Sequence, residues 1–379
     1  MSVHDTRLHE TPIHPAQSWP PCPWHGKPYY SLDAYCKNTF HHKCYKVALD
    51  AHMTCPNRDG TLDTRGCIFC SAGGSGDYAV SVAGSDIFPK SGVFPEDGVS
   101  PGTSLLSRDI SVSSDFPTGR AISLQLQAGL ALLSPKWDQN RLAVCGQPSV
   151  IAYFQAYTNT YAPLPYLEQV FTAALEEPEV CGISIATRPD CLPDAVMELL
   201  CSLKERYPGK FIWVELGLQT IHPKTASLIR RGYPLSVFDR AMEKLGASQF
   251  PVIVHVILGL PGETPAQMLE TIAYLNTRSP FGIKIQLLHV LRGTDLAALY
   301  VNGGFRTLAK EEYLDMVITC LEHLSPRIVV HRLTGDGPKR LLIAPAWSSN
   351  KKEVLNDLHH LMRIRNTWQG RLYALPEET

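Results

Sequence analysis

From about residue 121 onward the chain repeats one pattern, a short run of branched or aromatic residues followed by a helical stretch. The runs are Val150-Ile-Ala-Tyr-Phe-Gln, Gly182-Ile-Ser-Ile-Ala-Thr, Phe211-Ile-Trp-Val-Glu-Leu, Pro251-Val-Ile-Val-His-Val-Ile-Leu, Gly282-Ile-Lys-Ile-Gln-Leu-Leu and Ile328-Val-Val-His. Between them the pattern predicts helices over 192–207, 223–230, 236–245, 265–276 and 309–324. Strands that alternate with helices lie parallel, joined by right-handed crossovers. With Tyr45-Lys-Val-Ala-Leu-Asp as the first strand there are six or seven such units, fewer than the eight that close a barrel. The expected fold class is α/β, a partial (β/α)6 TIM-like barrel with N- and C-terminal extensions.

Strand period sorts the side chains further, because successive residues face opposite sides. Ile283, Ile285 and Leu287 point one way, Lys284 and Gln286 the other. Glu215 and Gln219 share a face with Gly217, Tyr153 shares one with Gln155, and His255 lies opposite Val254 and Val256. A closed barrel fills its interior mainly with branched apolar side chains. Here one face of several strands is polar, which implies a lumen that holds a ligand. The alternative is a set of buried, mutually hydrogen-bonded polar residues with no ligand.

The 379 residues are 44% hydrophobic, enough for one large core or two domains. A formal net charge of −1 argues against a strongly electropositive nucleic-acid binder and leaves room for local patches. Residues 1–28, rich in Pro and His, read as a flexible leader; 29–335 form the core, with a short helix over 29–40. Within the core, 83–119 is crowded with Ser, Gly, Pro and Asp and reads as a mobile surface insertion. Residues 336–379 are expected to pack on the barrel as an extension. The N-terminus lacks the apolar segment of a signal peptide, and no run is long enough to span a bilayer. A cytoplasmic location follows as the expectation, with the eleven cysteines reduced.

Three of those cysteines share one loop after the first strand: Cys55-Pro-Asn-Arg-Asp-Gly-Thr-Leu-Asp-Thr-Arg-Gly-Cys67-Ile-Phe-Cys70. Three thiolates are one short of a closed tetrahedral site, and a metal centre with an open position does chemistry. Thiolates favour iron–sulfur clusters or zinc, and Phe69 sets a flat apolar face beside the last of them. For structural zinc, His41, His42 or His52 would supply a fourth ligand, although zinc modules usually bring their ligands as two close pairs. Cys22, Cys36, Cys44, Cys145, Cys181, Cys191, Cys201 and Cys320 are scattered singly and read as small core residues. A second site built from Cys22, Cys36 and Cys44 is the alternative.

The cysteine loop resembles the cluster loop of the radical S-adenosylmethionine (radical SAM) superfamily, in a variant with a longer first spacing. Four later segments are similar, in order, to the radical SAM half of the Elongator catalytic subunit. They are Thr187-Arg188-Pro-Asp, Val214-Glu215-Leu-Gly-Leu-Gln219-Thr, His255-Val-Ile-Leu-Gly259-Leu-Pro-Gly262-Glu-Thr and Lys284-Ile-Gln-Leu-Leu-His-Val-Leu-Arg-Gly293-Thr. Closer still is a bacterial family of stand-alone Elongator-like radical SAM proteins. Cys55-Pro-Asn-Arg-Asp-Gly, Ser71-Ala-Gly-Gly-Ser-Gly-Asp, Ala152-Tyr-Phe-Gln-Ala-Tyr-Thr-Asn-Thr-Tyr-Ala and His331-Arg-Leu-Thr-Gly-Asp-Gly resemble it. The resemblance runs from about 29 to 361, broken near 83–119.

That resemblance implies a [4Fe-4S] cluster on Cys55, Cys67 and Cys70, with S-adenosyl-L-methionine (SAM) on the fourth iron and Phe69 flanking its adenine. It implies reductive cleavage of SAM to a 5′-deoxyadenosyl radical, fed by an external electron donor such as flavodoxin or ferredoxin. Gln155 and Asn159 end the strand where the superfamily recognises the SAM amino group, or they serve packing. Arg188 is placed to grip the SAM carboxylate, or to pair with Glu215 inside the barrel. Glu215 and Gln219 are candidates for the ribose hydroxyls. Gly259 and Gly262 allow close backbone approach to a ligand, or form a turn. His255, Lys284, His289 and His331 are substrate-side candidates; the first two and His331 are the catalytic candidates. The implied substrate is tRNA, at wobble uridine, with weak support from Arg230-Arg231, Lys339-Arg340, Lys351-Lys352, Arg363 and Arg365 as basic clusters. A small-molecule or peptide substrate is the first rival. A non-catalytic iron–sulfur or zinc scaffold is the rival of another class.

Overall fold

The structure, a computed structural model, describes residues 24–74, 118–133, 150–335 and 337–374. The leader over 1–23 and the insertion over 83–117 lie outside the described residues, as do Cys22 and Cys145. Seven strands form one parallel sheet: β1 (Tyr45–Leu49), β2 (Val150–Phe154), β3 (Val180–Thr187), β4 (Phe211–Gln219), β5 (Val252–Leu258), β6 (Gly282–Leu287) and β8 (Val329–Arg332). They are hydrogen-bonded in that order, and the sheet curls into a half-barrel. A two-stranded antiparallel ribbon, β7 (Val290–Leu291) with β9 (Leu342–Ala344), stands outside it.

Helices α1 (Leu32–Phe40), α2 (Thr118–Leu133), α3 (Leu164–Glu176), α4 (Asp194–Arg206), α5 (Pro223–Leu228), α6 (Leu235–Ala247), α7 (Pro265–Arg278), α8 (Asp295–Val301), α9 (Lys310–His323) and α10 (Lys351–Ile364) complete the chain. The predicted helices appear within a few residues of their expected limits. Their starts obey local chemistry. At α7, Thr264 accepts from the Gln267 N–H at 3.3 Å while the Gln267 side chain takes the Thr264 N–H at 3.0 Å, with Pro265 as the first helical residue. Such a box fixes the first turn by about 1 kcal/mol.

The outward face of the sheet carries the main core: Ile183, Ile185, Val214, Leu216, Val254, Val256, Ile283 and Ile285 pack under the helices. The C-terminal segment joins that core through Val354, Leu358 and Met362 of α10. Gln369 then ties the two ends of the chain together, accepting from the Tyr30 N–H at 2.8 Å and donating to Ser325 O and Ile328 O. Trp24, within the stretch read as leader, is buried and stacks on Tyr30.

The inward face is layered. At its foot Ile151, Trp213 and Ile253 form an apolar plug with Tyr35, Phe211 and Phe281. Above the plug every strand sends in a polar group, Arg332 being that of β8, and four of these converge on Glu215 of the central strand. The alternation of β4 places Trp213, Glu215, Gly217 and Gln219 on this face in ascending order, so one strand spans plug, polar layer and cleft.

Candidate functional site

The polar layer is one network. Glu215 Oε1 accepts from Lys46 Nζ of β1 at 2.6 Å and from Ser184 Oγ of β3 at 2.6 Å. Its Oε2 accepts from His255 Nε2 of β5 at 2.6 Å and from Lys284 Nζ of β6. Lys284 also donates to Tyr153 OH of β2 at 2.7 Å. Burial alone would raise the Glu215 carboxyl, but Lys284 and Lys46, then His255, hold it well below the usual carboxylate range. Lys284 is pulled down by burial and by Lys46 and Arg332, against the attraction of Glu215. With two ammonium groups around one carboxylate, Lys284 is the amine that loses its proton most easily. His255 falls to about 4, through burial and then Lys284, and is neutral.

Above this floor opens a cleft with about 900 Å³ of free space, part of it open to solvent. The thiols of Cys55, Cys67 and Cys70 line one side, with Phe69 between the last two. The loop that carries them follows the C-terminal end of β1 and is held by its own residues. Arg58 Nη2 donates to Cys70 O at 2.9 Å and Ser71 O at 2.6 Å, and its guanidinium lies over the Tyr157 ring. Burial would lower Arg58, yet the neighbouring Cys70 outweighs it and raises the group. Asn57, buried, donates to Arg230 O at 2.8 Å and reaches Cys67 Sγ at 3.5 Å. Gly74 adopts φ +54° with the Tyr157 ring where a Cβ would stand, so Gly73-Gly74 serves packing of the loop. Burial, then Cys70 and Cys55, push the Cys67 thiol up to about 12, so its thiolate needs compensating positive charge.

Does this donor set fit a cluster? Among the described residues, no three His, Cys, Asp or Glu side chains converge as the ligands of one ion would. An iron–sulfur cluster takes each thiolate at a different iron, so its sulfurs stand apart around a bulky group. Of the candidate zinc ligands, His41 and His42 precede β1 at the opposite end of the sheet, and His52, which follows β1, joins no group with the cysteines that would hold one ion. Three thiols on one wall of a roomy cleft, backed by Arg58 and Arg188, fit a cluster.

Of the remaining predicted residues, Gln155, Arg188, Glu215, Gln219 and His255 line the same cleft. Arg188 does not pair with Glu215. It forks onto Asp190, at 2.9 and 2.7 Å, and donates to Arg231 O at 3.0 Å. Three of its five N–H groups are thereby engaged, leaving two for a ligand. Both Glu215 oxygens already accept two hydrogen bonds, so Gln219 is the better placed of the two ribose candidates. Asn159 is fully buried; its amide donates to Ala186 O at 3.0 Å and its Oδ1 has no partner. Gly259 and Gly262, both at φ +83°, shape the turn after β5 and do not line the cleft. Lys284 lies beneath the cleft wall. His331 stands in the plug, edge-on to Trp213 and Phe281, so of the three catalytic candidates only His255 reaches the cleft.

Sequence reading missed Arg58, Asn57, Tyr157 and Arg231. The first two sat inside a quoted motif but had no partner visible in the sequence. Arg231 was taken with Arg230 as a surface cluster, whereas it is buried, donating to Leu218 O at 3.0 Å and Thr220 O at 2.6 Å. Cys36 and Cys44 do meet, but with Cys181 at the foot of the sheet. Cys36 is pushed up first by its contact with Cys44, and Cys44 first by its contact with Cys181.

Residues 143–275 match the family model for the radical SAM superfamily, and 280–363 the radical SAM C-terminal domain. The protein YtqA of Bacillus subtilis is 38% identical over 352 residues, 93% of this chain and 95% of that one. The chain belongs to the radical SAM superfamily. A tRNA uridine(34) acetyltransferase of Methanocaldococcus infernus is 28% identical over 179 residues, 46% of this chain but 32% of the relative. Among solved structures, the M. infernus Elp3 with an N-terminal deletion superposes with a TM-score of 0.54 at 18% identity, covering 65% of this chain and 60% of that one. The half-barrel is thus the radical SAM fold, and membership implies a [4Fe-4S] cluster and SAM. No described helix is long and apolar enough to cross a membrane.

Proposed function

We propose that this radical SAM enzyme modifies uridine at the wobble position of tRNA, in the cytoplasm, with electrons from a flavodoxin or ferredoxin. Cys55, Cys67 and Cys70 would hold the cluster, and the two free N–H groups of Arg188 would take the SAM carboxylate. Gln155 and Gln219 offer amides to the rest of the cofactor. Bound together, cluster and SAM supply one-electron cleavage of the sulfonium and a radical able to abstract hydrogen.

The chain's own residues do the rest. The Glu215 network forms a floor whose carboxylate already accepts four hydrogen bonds. A second chamber of about 760 Å³ adjoins the cleft and shares Phe69, Gln155, Gln219, His255, Gln286 and Arg332 with it. Ile257, Leu287, Leu288 and Leu291 give it an apolar side opposite its polar groups. At its rim, Gly337 and Pro338 lead into exposed Lys339 and Arg340, and the backbone N–H of Arg292 donates to Leu341 O, which sets a third exposed basic residue nearby. A chamber beside the cysteine loop, with a basic lip for phosphates, is the observation that carries the tRNA reading; similarity to a tRNA uridine(34) acetyltransferase supports it. Lys351-Lys352, Arg363 and Arg365 lie on and after α10, where Arg365 is paired with Asp315 at 2.5 Å.

Deleting the gene and digesting total tRNA to nucleosides tests this. The expected result is a change in mass of one anticodon-loop uridine. An unchanged nucleoside profile with accumulation of a small metabolite would instead favour a small-molecule substrate.

A further inference from the structure

The second chamber ends at His289, which follows β6 and is nine-tenths buried. The Gly337 N–H donates to its Nδ1 at 3.0 Å. A ring nitrogen that accepts a hydrogen bond carries no proton, so the neutral imidazole holds its proton on Nε2. Burial, then Lys351, push the ring down to about 4, which keeps this one tautomer through the neutral range. Nε2 is therefore a donor, and among the described residues it is buried with no hydrogen-bond partner.

The backbone fixes the ring as well. A Cβ on Gly335 would stand 2.5 Å from Cε1 and 2.6 Å from Nε2, and one on Gly337 would stand 2.5 Å from Nδ1. Glycine at both positions lets the chain close on both ring nitrogens and leaves the imidazole little room to turn. Buried donors are almost always paired. One that is unpaired, fixed in tautomer and set in the wall of a ligand chamber marks the place of an acceptor. The apolar neighbours Leu287, Leu288 and Leu291 suit a neutral planar group; a phosphate there would draw a proton onto the ring.

We propose that His289 is a specificity residue whose Nε2–H donates to a ring carbonyl oxygen of the substrate base, the acceptor edge that uracil presents. This rests on the tRNA reading above. The test uses full-length protein with its cluster reconstituted anaerobically, and labelled anticodon stem-loop RNA with uridine, 2-thiouridine or 4-thiouridine at the wobble position. His289→Leu should weaken binding of the uridine RNA about tenfold, the loss expected for one hydrogen bond. His289→Gln, whose amide can donate in its place, should recover most of that loss. On one of the two thio RNAs, where sulfur is a poor acceptor, the penalty of His289→Leu should shrink to less than about twofold. Iron content reports folding; if His289→Leu loses its iron, Gly335→Ala replaces it, keeping the histidine but displacing the ring, and should show the same dependence on the base. Uridine RNA bound within twofold of wild type by these variants, or equal losses on all three RNAs, would overturn the role of His289 while leaving the tRNA reading intact. Wild-type protein that binds none of the RNAs would overturn both.

Discussion

Replacing Glu215 with Gln tests whether the polar layer is a single structural unit. The carboxylate accepts four hydrogen bonds, two on each oxygen. Glutamine keeps one acceptor oxygen and turns a donor amide toward the other pair. Either Lys46 with Ser184, or His255 with Lys284, is then left facing N–H groups. Two orphaned buried donors cost about 1–3 kcal/mol each, and two ammonium groups lose their counter-charge, so the expected total is about 3–5 kcal/mol. Lys284→Met leaves Glu215 with three donors and removes a buried like charge next to Lys46; it should cost only about 1–2 kcal/mol. In the double variant Lys46 no longer opposes Lys284, so the two losses should fall short of additivity by about 1–3 kcal/mol. Equilibrium urea unfolding under anaerobic conditions, with unchanged denaturant slope, reads all three. A Glu215→Gln cost below about 1 kcal/mol, or strict additivity, would refute the reasoning.

Two further outcomes follow from the same geometry. Anaerobically purified protein should be brown with iron and labile sulfide; Ala at Cys55, Cys67 or Cys70 should abolish the chromophore, whereas Cys320→Ala, in the core behind the sheet, should leave it, and stoichiometric zinc without sulfide would contradict the cluster. Stability should also fall on acidification: His255, His289 and His331 have folded-state affinities for protons below the unfolded value near 6.5, so their contribution is complete above that value and is lost as pH falls toward about 4 for the first two. Each gives at most about 1.4 kcal/mol per pH unit, so the slope of unfolding free energy should approach about 4 kcal/mol per pH unit where all three take up protons only when unfolded; a flat profile between pH 6.5 and 5 would contradict their burial as neutral rings.

Strand period made the half-barrel and its polar face legible, because a parallel strand shows its two faces in its own sequence. Glu215, Gly217 and Gln219 were assigned to one face correctly, and so were Lys284 and Gln286. What each group pairs with was not legible. Partnership depends on register between strands distant in sequence, such as Gly217 opposite His255 and Lys284 opposite Arg332. Arg188 was therefore offered to Glu215 across the barrel, when Asp190 two residues away already held its fork. His331 was taken for a reactive group, although one more position down the strand it meets the apolar plug. Helices α2, α3, α8 and α10 and the β7–β9 ribbon went unassigned, because their roles are set by what they cover.

Charge shows the same limit from another side. A formal net charge of −1 describes the chain as a whole and says nothing of where its cations are. Arg58, Arg188, Arg231 and Arg332 all line the cleft, against the single carboxylate Glu215, which is itself bound to two lysines. Such a wall favours anions by the same Coulombic terms that push Arg58 up beside Cys70. Three thiolates with a cluster, and a carboxylate presented to Arg188, are groups it suits. The basic wall supplies the positive charge that the Cys67 thiol, pushed up by burial, needs if it is to lose its proton. The adjoining chamber keeps one of these cations, Arg332, and adds the neutral groups Gln286 and His289, so there charge is joined by groups that recognise through hydrogen bonds.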